Sequence, residues 1–350
     1  MSCLARVRSP RIHRTRSATR VLFAVLAVVL VGGVSACGGS GGETSAGQGP
    51  ATATLADPDP VPIGPAPTPQ LPATVPSFDG GQVTVTDASR IVAVDRYGTL
   101  AQTVWALGLG GNLVGRASAA PPAMQHITNV AGGNGSISVE AVAAQRPTVF
   151  LTDTVTVTPT LRDQLRALGI TVVFFDPQRT LDGVVPQIQA VAAALGVPAQ
   201  GDKLAQRTRD EIASATAAVG QHEPKPKIAF LYLRSTAITM MGGPGSGADA
   251  LIGALGGVDA GTAAGLKEPF VPITSEAMIA AAPDVFLVMS DGLASIGGVD
   301  GLAKVPGIAQ TPAGRSKRVV DMSDKVLLSF GPNTGRVLSA LTKALHGTQA

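Results

Sequence analysis

Apolar and polar positions divide this chain into three regimes. Residues 21–34 are almost wholly apolar and follow six arginines (Arg6, Arg8, Arg11, Arg14, Arg16, Arg20) with no acid among them. Over residues 38–76 Gly, Ser, Ala, Thr and Pro dominate, and large apolar side chains nearly vanish. Beyond Gln82, short apolar runs alternate with stretches of helical spacing. Residues 90–94 predict a buried strand, 98–107 a helix and 113–115 a short strand; strands at 148–151 and 171–175 then flank a helix at 159–168. Helical spacing runs over 181–219, interrupted near Gly196-Val197-Pro198. After Pro224 and Pro226 the rhythm restarts, with strands at 227–233, 284–289 and 318–321, a helix at 248–255 and a C-terminal helix. Strands alternating with helices argue for parallel βαβ units.

The two halves repeat a motif. Ser138-Val139-Glu140-Ala141-Val142-Ala143-Ala144-Gln145-Arg146-Pro147-Thr148-Val149-Phe150-Leu151 lies without a gap over Thr274-Ser275-Glu276-Ala277-Met278-Ile279-Ala280-Ala281-Ala282-Pro283-Asp284-Val285-Phe286-Leu287. Each copy reads as a short helix, stopped by a proline that disfavours helical geometry before it, and then an apolar strand. Each glutamate falls in a first helical turn, where the helix dipole favours a carboxylate and a capping box can close. The same acid in both halves also fits a role shared between two lobes. The expected fold class is α/β, with two Rossmann-like lobes bridged by a long helix and a ligand cleft between them. The expected boundaries are an N-terminal lobe over 81–180, a bridging helix over 181–222 and a C-terminal lobe over 223–350.

The leader changes the reading of charge. A basic stretch, an apolar core and small residues up to Cys37 have the anatomy of a secretory signal, here residues 1–36. Val34-Ser35-Ala36-Cys37 resembles the bacterial lipobox, which implies a lipidated Cys37 at the start of the mature chain. An uncleaved anchor is the alternative, but a spanning helix needs roughly 20 apolar residues, and Gly32 and Gly33 break this one. Removing six leader arginines from 27 Lys+Arg leaves 21 against 24 Asp+Glu, about −3, so no basic face for nucleic acid is implied. Without Cys3 the mature chain has one cysteine and no disulfide, so the core alone must hold it. The composition of residues 37–80 reads as a flexible stalk above the membrane.

The chain resembles the substrate-binding lipoproteins of ABC importers for iron–siderophore complexes, haem and vitamin B12, and within them the haemin-binding branch. The residues that carry the resemblance are Leu293-Ala294-Ser295-Ile296-Gly297-Gly298-Val299-Asp300-Gly301-Leu302, Pro306-Gly307-Ile308-Ala309-Gln310-Thr311-Pro312-Ala313-Gly314-Arg315 and Leu328-Ser329-Phe330-Gly331-Pro332-Asn333-Thr334. To these add Gly242-Gly243, Gly247-Ala248-Asp249-Ala250-Leu251-Ile252 and Leu255-Gly256-Gly257-Val258. The resemblance implies extracytoplasmic capture of an iron complex, ferric siderophore or haem, as transported ligand rather than cofactor. It also implies delivery to a permease that Glu140 and Glu276 would dock through arginine pairs. In that branch a tyrosine often precedes a proline in the loop after Val114-Gly115-Arg116; here Ala120 stands in its place.

Other ligand-binding candidates follow from position. Tyr97 lies just after the first strand of the N-terminal lobe, at the strand end where α/β proteins bind ligands. His126 is the one histidine in a loop with access to a cleft, and imidazole or phenolate can serve as an axial haem ligand. Tyr232 reads as a structural residue of a core strand. Met240 and Met241 precede Gly242-Gly243-Pro244-Gly245-Ser246-Gly247, which lacks the Lys-Ser/Thr of a phosphate-binding P-loop and reads as a turn that lets a flat or bulky ligand approach. Arg116 and Arg234 are candidate counter-charges. The rival class is an extracytoplasmic α/β enzyme such as a hydrolase, and no Gly-x-Ser-x-Gly elbow or metal-spaced histidine pair supports it.

Overall fold

Residues 49–80, which composition marks as stalk, are built into the folded body. The computed structural model describes residues 49–132, 135–221, 223–235 and 237–347; the leader, Cys37, the start of the stalk and His222 lie outside them. β1 (Ala51–Ala53) runs parallel to the last strand of the C-terminal lobe, with Ala51 opposite Val320 and Ala53 opposite Met322. Arg336 donates to the carbonyls of Asp57 and Asp59, and Asn333 Nδ2 donates to Pro58 O at 3.0 Å. The Asp59 carboxylate accepts from Ala123 N of the other lobe at 2.8 Å. Further on, Arg207 donates to Val61 O at 2.8 Å and Gln70 N to Gly196 O at 2.7 Å. β2 (Ala73–Pro76) and β3 (Gln82–Val85) then form an antiparallel hairpin.

The physical reason is local. A proline-rich extended segment has few N–H groups to satisfy, and its free carbonyls accept from arginine and asparagine side chains of its neighbours. Leu55, Ile63 and Leu71 supply the apolar contacts. The segment is therefore a strap that touches both lobes. A chain starting at residue 73 is expected to lose about 3 kcal/mol or more against one starting at 49, because those contacts and an edge pairing go together. Equal urea midpoints for the two chains would contradict the assignment.

The N-terminal lobe is an all-parallel sheet of β4 (Ile91–Ala93), β5 (Leu113–Arg116), β6 (Thr128–Asn129), β7 (Val149–Asp153) and β8 (Thr171–Phe175), in the order β6-β5-β4-β7-β8. β7 is buried along its whole length, as expected of a parallel strand covered on both faces. The helices α1 (Thr99–Val104), α2 (Val139–Ala144) and α3 (Pro159–Ala167) belong to this lobe.

The helical stretch 181–222 is two helices rather than one. α4 (Leu181–Ala194) ends before Gly196, whose φ is 70°, and α5 (Pro198–Ala217) starts on Pro198. α5 is the bridge: it packs on α4 on one side and on the C-terminal helix Thr334–His346 on the other. A Cβ on Gly335 would stand 2.5 Å from Glu211 Cβ, so this crossing needs glycine.

The C-terminal lobe adds β9 (Lys227–Arg234), β10 (Ile238–Gly242), β11 (Val258–Asp259), β12 (Phe270–Pro272), β13 (Val285–Met289) and β14 (Val319–Met322). Their order is β1-β14-β13-β9-β10-β12, with β11 beside β9. β1, β14, β13 and β9 are parallel; β10 returns antiparallel to β9, and β12 is antiparallel to β10.

The internal repeat is structural. α2 leads into β7 as the helix Ser275–Ala281 leads into β13, and each strand lies beside the first long strand of its sheet. Ser138 and Thr274 cap the two helices through backbone N–H groups at 3.1 and 3.2 Å. At equivalent positions before the prolines, Arg146 and Ala282 turn left-handed, with φ of 49° and 44°. That turn aims each proline and the strand behind it into the sheet.

Candidate functional site

Ligand chemistry in a parallel sheet gathers at the carboxyl ends of the strands. In the N-terminal lobe those ends carry a buried charge cluster. Arg179 Nη2 lies 3.2 Å from Asp95 Oδ2 and 3.4 Å from Asp153 Oδ2, with all three side chains buried. Asp95 also accepts from the N–H groups of Tyr97, Thr99 and Leu100, at 3.2, 3.1 and 2.9 Å, and so closes the start of α1. Asp153 accepts from Val155 and Thr156 at 3.1 and 2.7 Å. Burial holds the Asp153 carboxyl above its ordinary range, Asp95 adds to this, and Thr156 and Arg179 oppose it.

The lobes join at this cluster. Thr99 Oγ1 donates to Ser329 O, and Gln102 Nε2 donates to Lys325 O at 3.3 Å. Gly247, at φ 85°, faces the cluster from the C-terminal lobe: a Cβ there would stand 3.1 Å from both Arg179 Cβ and Phe330 Cε2. The glycine-rich loop therefore lets the other lobe approach, where the sequence suggested a bulky ligand. Its amides are already occupied, since Asp249 accepts from Gly245 N at 2.8 Å and Gly247 N at 2.9 Å.

Tyr97 stands beside the cluster with the Arg179 guanidinium 5.9 Å from its ring centre. Burial raises its phenol pKa first of all. Arg96, by charge and hydrogen bond, and Arg179 oppose that rise, and Tyr232 of the other lobe adds to it. The chain's two tyrosines thus lie within electrostatic reach of each other. The period of two along β9 puts Phe230, Tyr232 and Arg234 on one face. Tyr232 is half-buried, packs edge-on against Phe270 at 5.9 Å and lies opposite Met240. Arg234 stacks over the Tyr232 ring at 4.5 Å and pairs with Asp324 at 2.9 Å.

Several candidates fall elsewhere. His126 falls in the turn that follows the short helix Pro122–Met124 and precedes β6. Its ring meets Trp105 edge-on, 6.4 Å between centres, beyond the far end of α1. It is not at the cleft. Arg116 is buried and spends its guanidinium on the carbonyls of Met124, Ala117 and Gln125, at 2.9, 2.9 and 3.1 Å. It holds the loop, with N–H groups committed to those carbonyls. Met241 lies in the outer core of the C-terminal lobe, whereas Met240 is half-buried on the Tyr232 face. Tyr97, Arg234 and Met240 are brought together; Tyr232, Phe270 and Arg179 join them unforeseen. The signal for Tyr232 was a Tyr-x-Arg pair at a strand end, where a charge on the tyrosine's own face argues against a sealed core.

Glu140 and Glu276 are both exposed in the first turns of their helices, and no ion pair among the described residues engages either. Each carboxyl is held below the ordinary glutamate range, first by its own backbone N–H and then by Ser138, or by Ser275 and Thr274. Among the described residues no group of three or more His, Cys, Asp or Glu could hold a metal ion, and no helix is long and apolar enough to cross a membrane.

The periplasmic binding protein family matches residues 93–326. The chain belongs to that family. It is an extracytoplasmic substrate-binding protein of the kind that serves ABC importers. Its fold is similar to that of the haem-binding protein HmuT, at 35% identity and a TM-score of 0.83, over 87% of this chain and 99% of that one. The periplasmic haem-binding protein RhuT of Roseiflexus sp. RS-1 is 38% identical over 74% of this chain and 98% of its own, with a TM-score of 0.70. A cobalamin-binding protein of Halobacterium salinarum is 26% identical over 284 residues, 79% of this chain and 75% of that protein.

Proposed function

We propose that this protein captures haem between its lobes at the outer face of the cytoplasmic membrane and passes it to an importer permease. The observation that carries this reading is a tyrosine towards the carboxyl-end side of each lobe's sheet, Tyr97 after β4 and Tyr232 near the end of β9, with a guanidinium 5.9 Å and 4.5 Å from the ring centres. Phenolate is an axial ligand of ferric haem in proteins. Arg179 is committed to Asp95 and Asp153, whereas the more exposed Arg234 guanidinium suits a propionate carboxylate, because a guanidinium holds a carboxylate through two parallel N–H groups. Met240 and Phe270 offer the adaptable apolar contact that a porphyrin face requires. Three solved variants of HmuT replace a histidine, a tyrosine and an arginine two positions after that tyrosine by alanine. Tyr232 and Arg234 have the same tyrosine–arginine spacing, which supports Tyr232 as an iron ligand. A hexadentate ferric siderophore saturates its iron with its own donors and needs no phenol from the protein. The relatives are binding proteins, so a hydrolase has no support from them.

The test is an absorbance titration of the folded domain with haemin, a ferric hydroxamate siderophore and cobalamin. Trp105 lies away from the cleft, so its fluorescence is a poor reporter. Saturation at one equivalent of haemin is expected. Saturation by the siderophore or cobalamin with none by haemin would replace the reading.

Cys37 is proposed to carry the lipid. Cys37→Ala is expected to release the folded protein from the membrane fraction, and continued anchoring would refute this. Glu140 and Glu276 are proposed to dock the permease, one from each lobe. Replacing both by alanine should leave haemin affinity unchanged and slow uptake in cells; uptake at the normal rate would discount the pair. Exposed ion pairs are individually weak, so the loss should appear mainly in docking rate and grow with salt. Because both carboxyls sit below the ordinary glutamate range, docking should persist as pH falls through about 4.3 and fail only below it.

A further inference from the structure

The chain passes between the lobes along α5 and also along the strap. The strap leaves the C-terminal lobe at β1, paired with β14, and reaches the N-terminal lobe where Ile63 N donates to Ala106 O at 2.8 Å. Its passage reads Asp57-Pro58-Asp59-Pro60-Val61-Pro62, with proline at every second position. Each ring locks its own φ and biases the residue before it towards extended geometry, so this run is a stiff rod rather than a slack link. The two passages lie side by side, since Arg207 of α5 donates to Val61 O at 2.8 Å.

Asp59 is held from both lobes at once. Its carbonyl accepts from Arg336 Nη1 of the C-terminal helix at 3.2 Å, and its carboxylate accepts from Ala123 N at 2.8 Å. Arg336 also donates to Asp57 O, and Asn333 Nδ2 to Pro58 O at 3.0 Å. In the N-terminal lobe the contact lands on the loop after β5, which Arg116 closes through the carbonyls of Ala117, Met124 and Gln125. Ala119 of that loop lies against Gly98, where a Cβ would overlap Ala119 O, next to Tyr97. The strap is thus fastened to a loop beside the candidate ligand residue at the strand ends.

We propose that the strap is a second tie between the lobes, fastened at Asp59, which restricts their opening and so slows the escape of a ligand held between them. The effect on ligand escape rests on the haem reading above; the restriction of the lobes stands without it. A lobe carried by one helix can bend and twist about it. A stiff rod fixed at both ends beside that helix opposes the twist. Bending that spreads the lobes must stretch the Asp59–Ala123 contact, and a hydrogen bond drawn out beyond about 3.5 Å is lost. Asp59 is a positioning residue in this account and does not touch the ligand.

The experiment measures the distance between two spin labels by pulsed electron resonance, one on each lobe at the exposed Ala167 and Ala309. The labels are carried by Ala167→Cys and Ala309→Cys in the full chain, with Cys3 and Cys37 replaced by alanine. This labelled protein should show one narrow distance distribution. Adding Asp59→Ala or Arg336→Met, which free the strap from opposite lobes, should broaden it. Asp59→Asn keeps an oxygen acceptor for Ala123 N and should stay close to the parent. The second readout is haemin release to an excess of a scavenging globin. Release should be about fivefold faster in Asp59→Ala, the effect of one ordinary hydrogen bond, and should return towards the parent rate in Asp59→Asn. Unchanged distance distributions in both Asp59→Ala and Arg336→Met would overturn the tie. Broadened distances with haemin release at the parent rate would overturn its part in retention. A protein that takes up no haemin would overturn the haem reading, and the distances would still decide whether the strap ties the lobes.

Discussion

Replacing Arg179 by methionine is expected to destabilise the protein by about 3–5 kcal/mol, because it leaves the buried Asp95 and Asp153 carboxylates facing each other without a cation. The loss should be largest near neutral pH. The Asp153 carboxyl is already held above its ordinary range, first by burial and then by Asp95, and losing Arg179 pushes it higher. A carboxyl whose folded pKa exceeds its unfolded value binds more protons in the native state. Its effect is therefore to lower stability as pH rises from the unfolded value, about 3.9, through the folded one. The deficit of Arg179→Met relative to the wild type should shrink as pH falls towards 4, in urea melts at several pH values. A deficit that is constant with pH, or below about 1 kcal/mol, would show that the cluster is not held by this charge.

Replacing Tyr232 by phenylalanine is expected to weaken haemin binding by about 2 kcal/mol or more, roughly 30-fold, with little change in stability. The ring would still pack against Phe270 and under Arg234, so the missing hydroxyl is the only difference. The ferric spectrum should change with it, since a phenolate and a phenyl ring cannot give the same absorption. Equal affinity and an unchanged spectrum would remove Tyr232 from the site and leave it as the core residue that its strand suggested.

Much of the architecture could be read along the chain, for reasons that stop short of the site. The period of apolar residues and the prolines at 147 and 283 marked the helix–strand units, because those signals are local. The same locality misled at the strap. Residues 49–80 lack a core of their own, and what orders them comes from Arg336, Asn333, Arg207 and the β14 edge, all far away in sequence. The bridging helix was legible as a helix, and its break at Gly196 was visible, but the split into a lobe helix and a bridge depends on packing.

The candidate site was harder to read because its residues come from two lobes. Tyr97 was singled out because strand ends bind ligands. Tyr232 was read as structural because one strand, read alone, looks like core; the Arg234 stack that makes it a candidate appears only in three dimensions. His126 was overvalued because loop membership says nothing of direction. Its edge-on contact with Trp105 shows where it points. Arg116 was a candidate charge until the carbonyls of Met124, Ala117 and Gln125 were seen to hold it.

The most direct test of haem capture between the lobes is an anomalous-difference map, collected at the iron edge from crystals grown with haemin. A single strong peak between the lobes, at bonding distance from the Tyr232 hydroxyl oxygen, is the predicted result. A peak on an outer face, or crystals that hold no iron from saturating haemin, would contradict it.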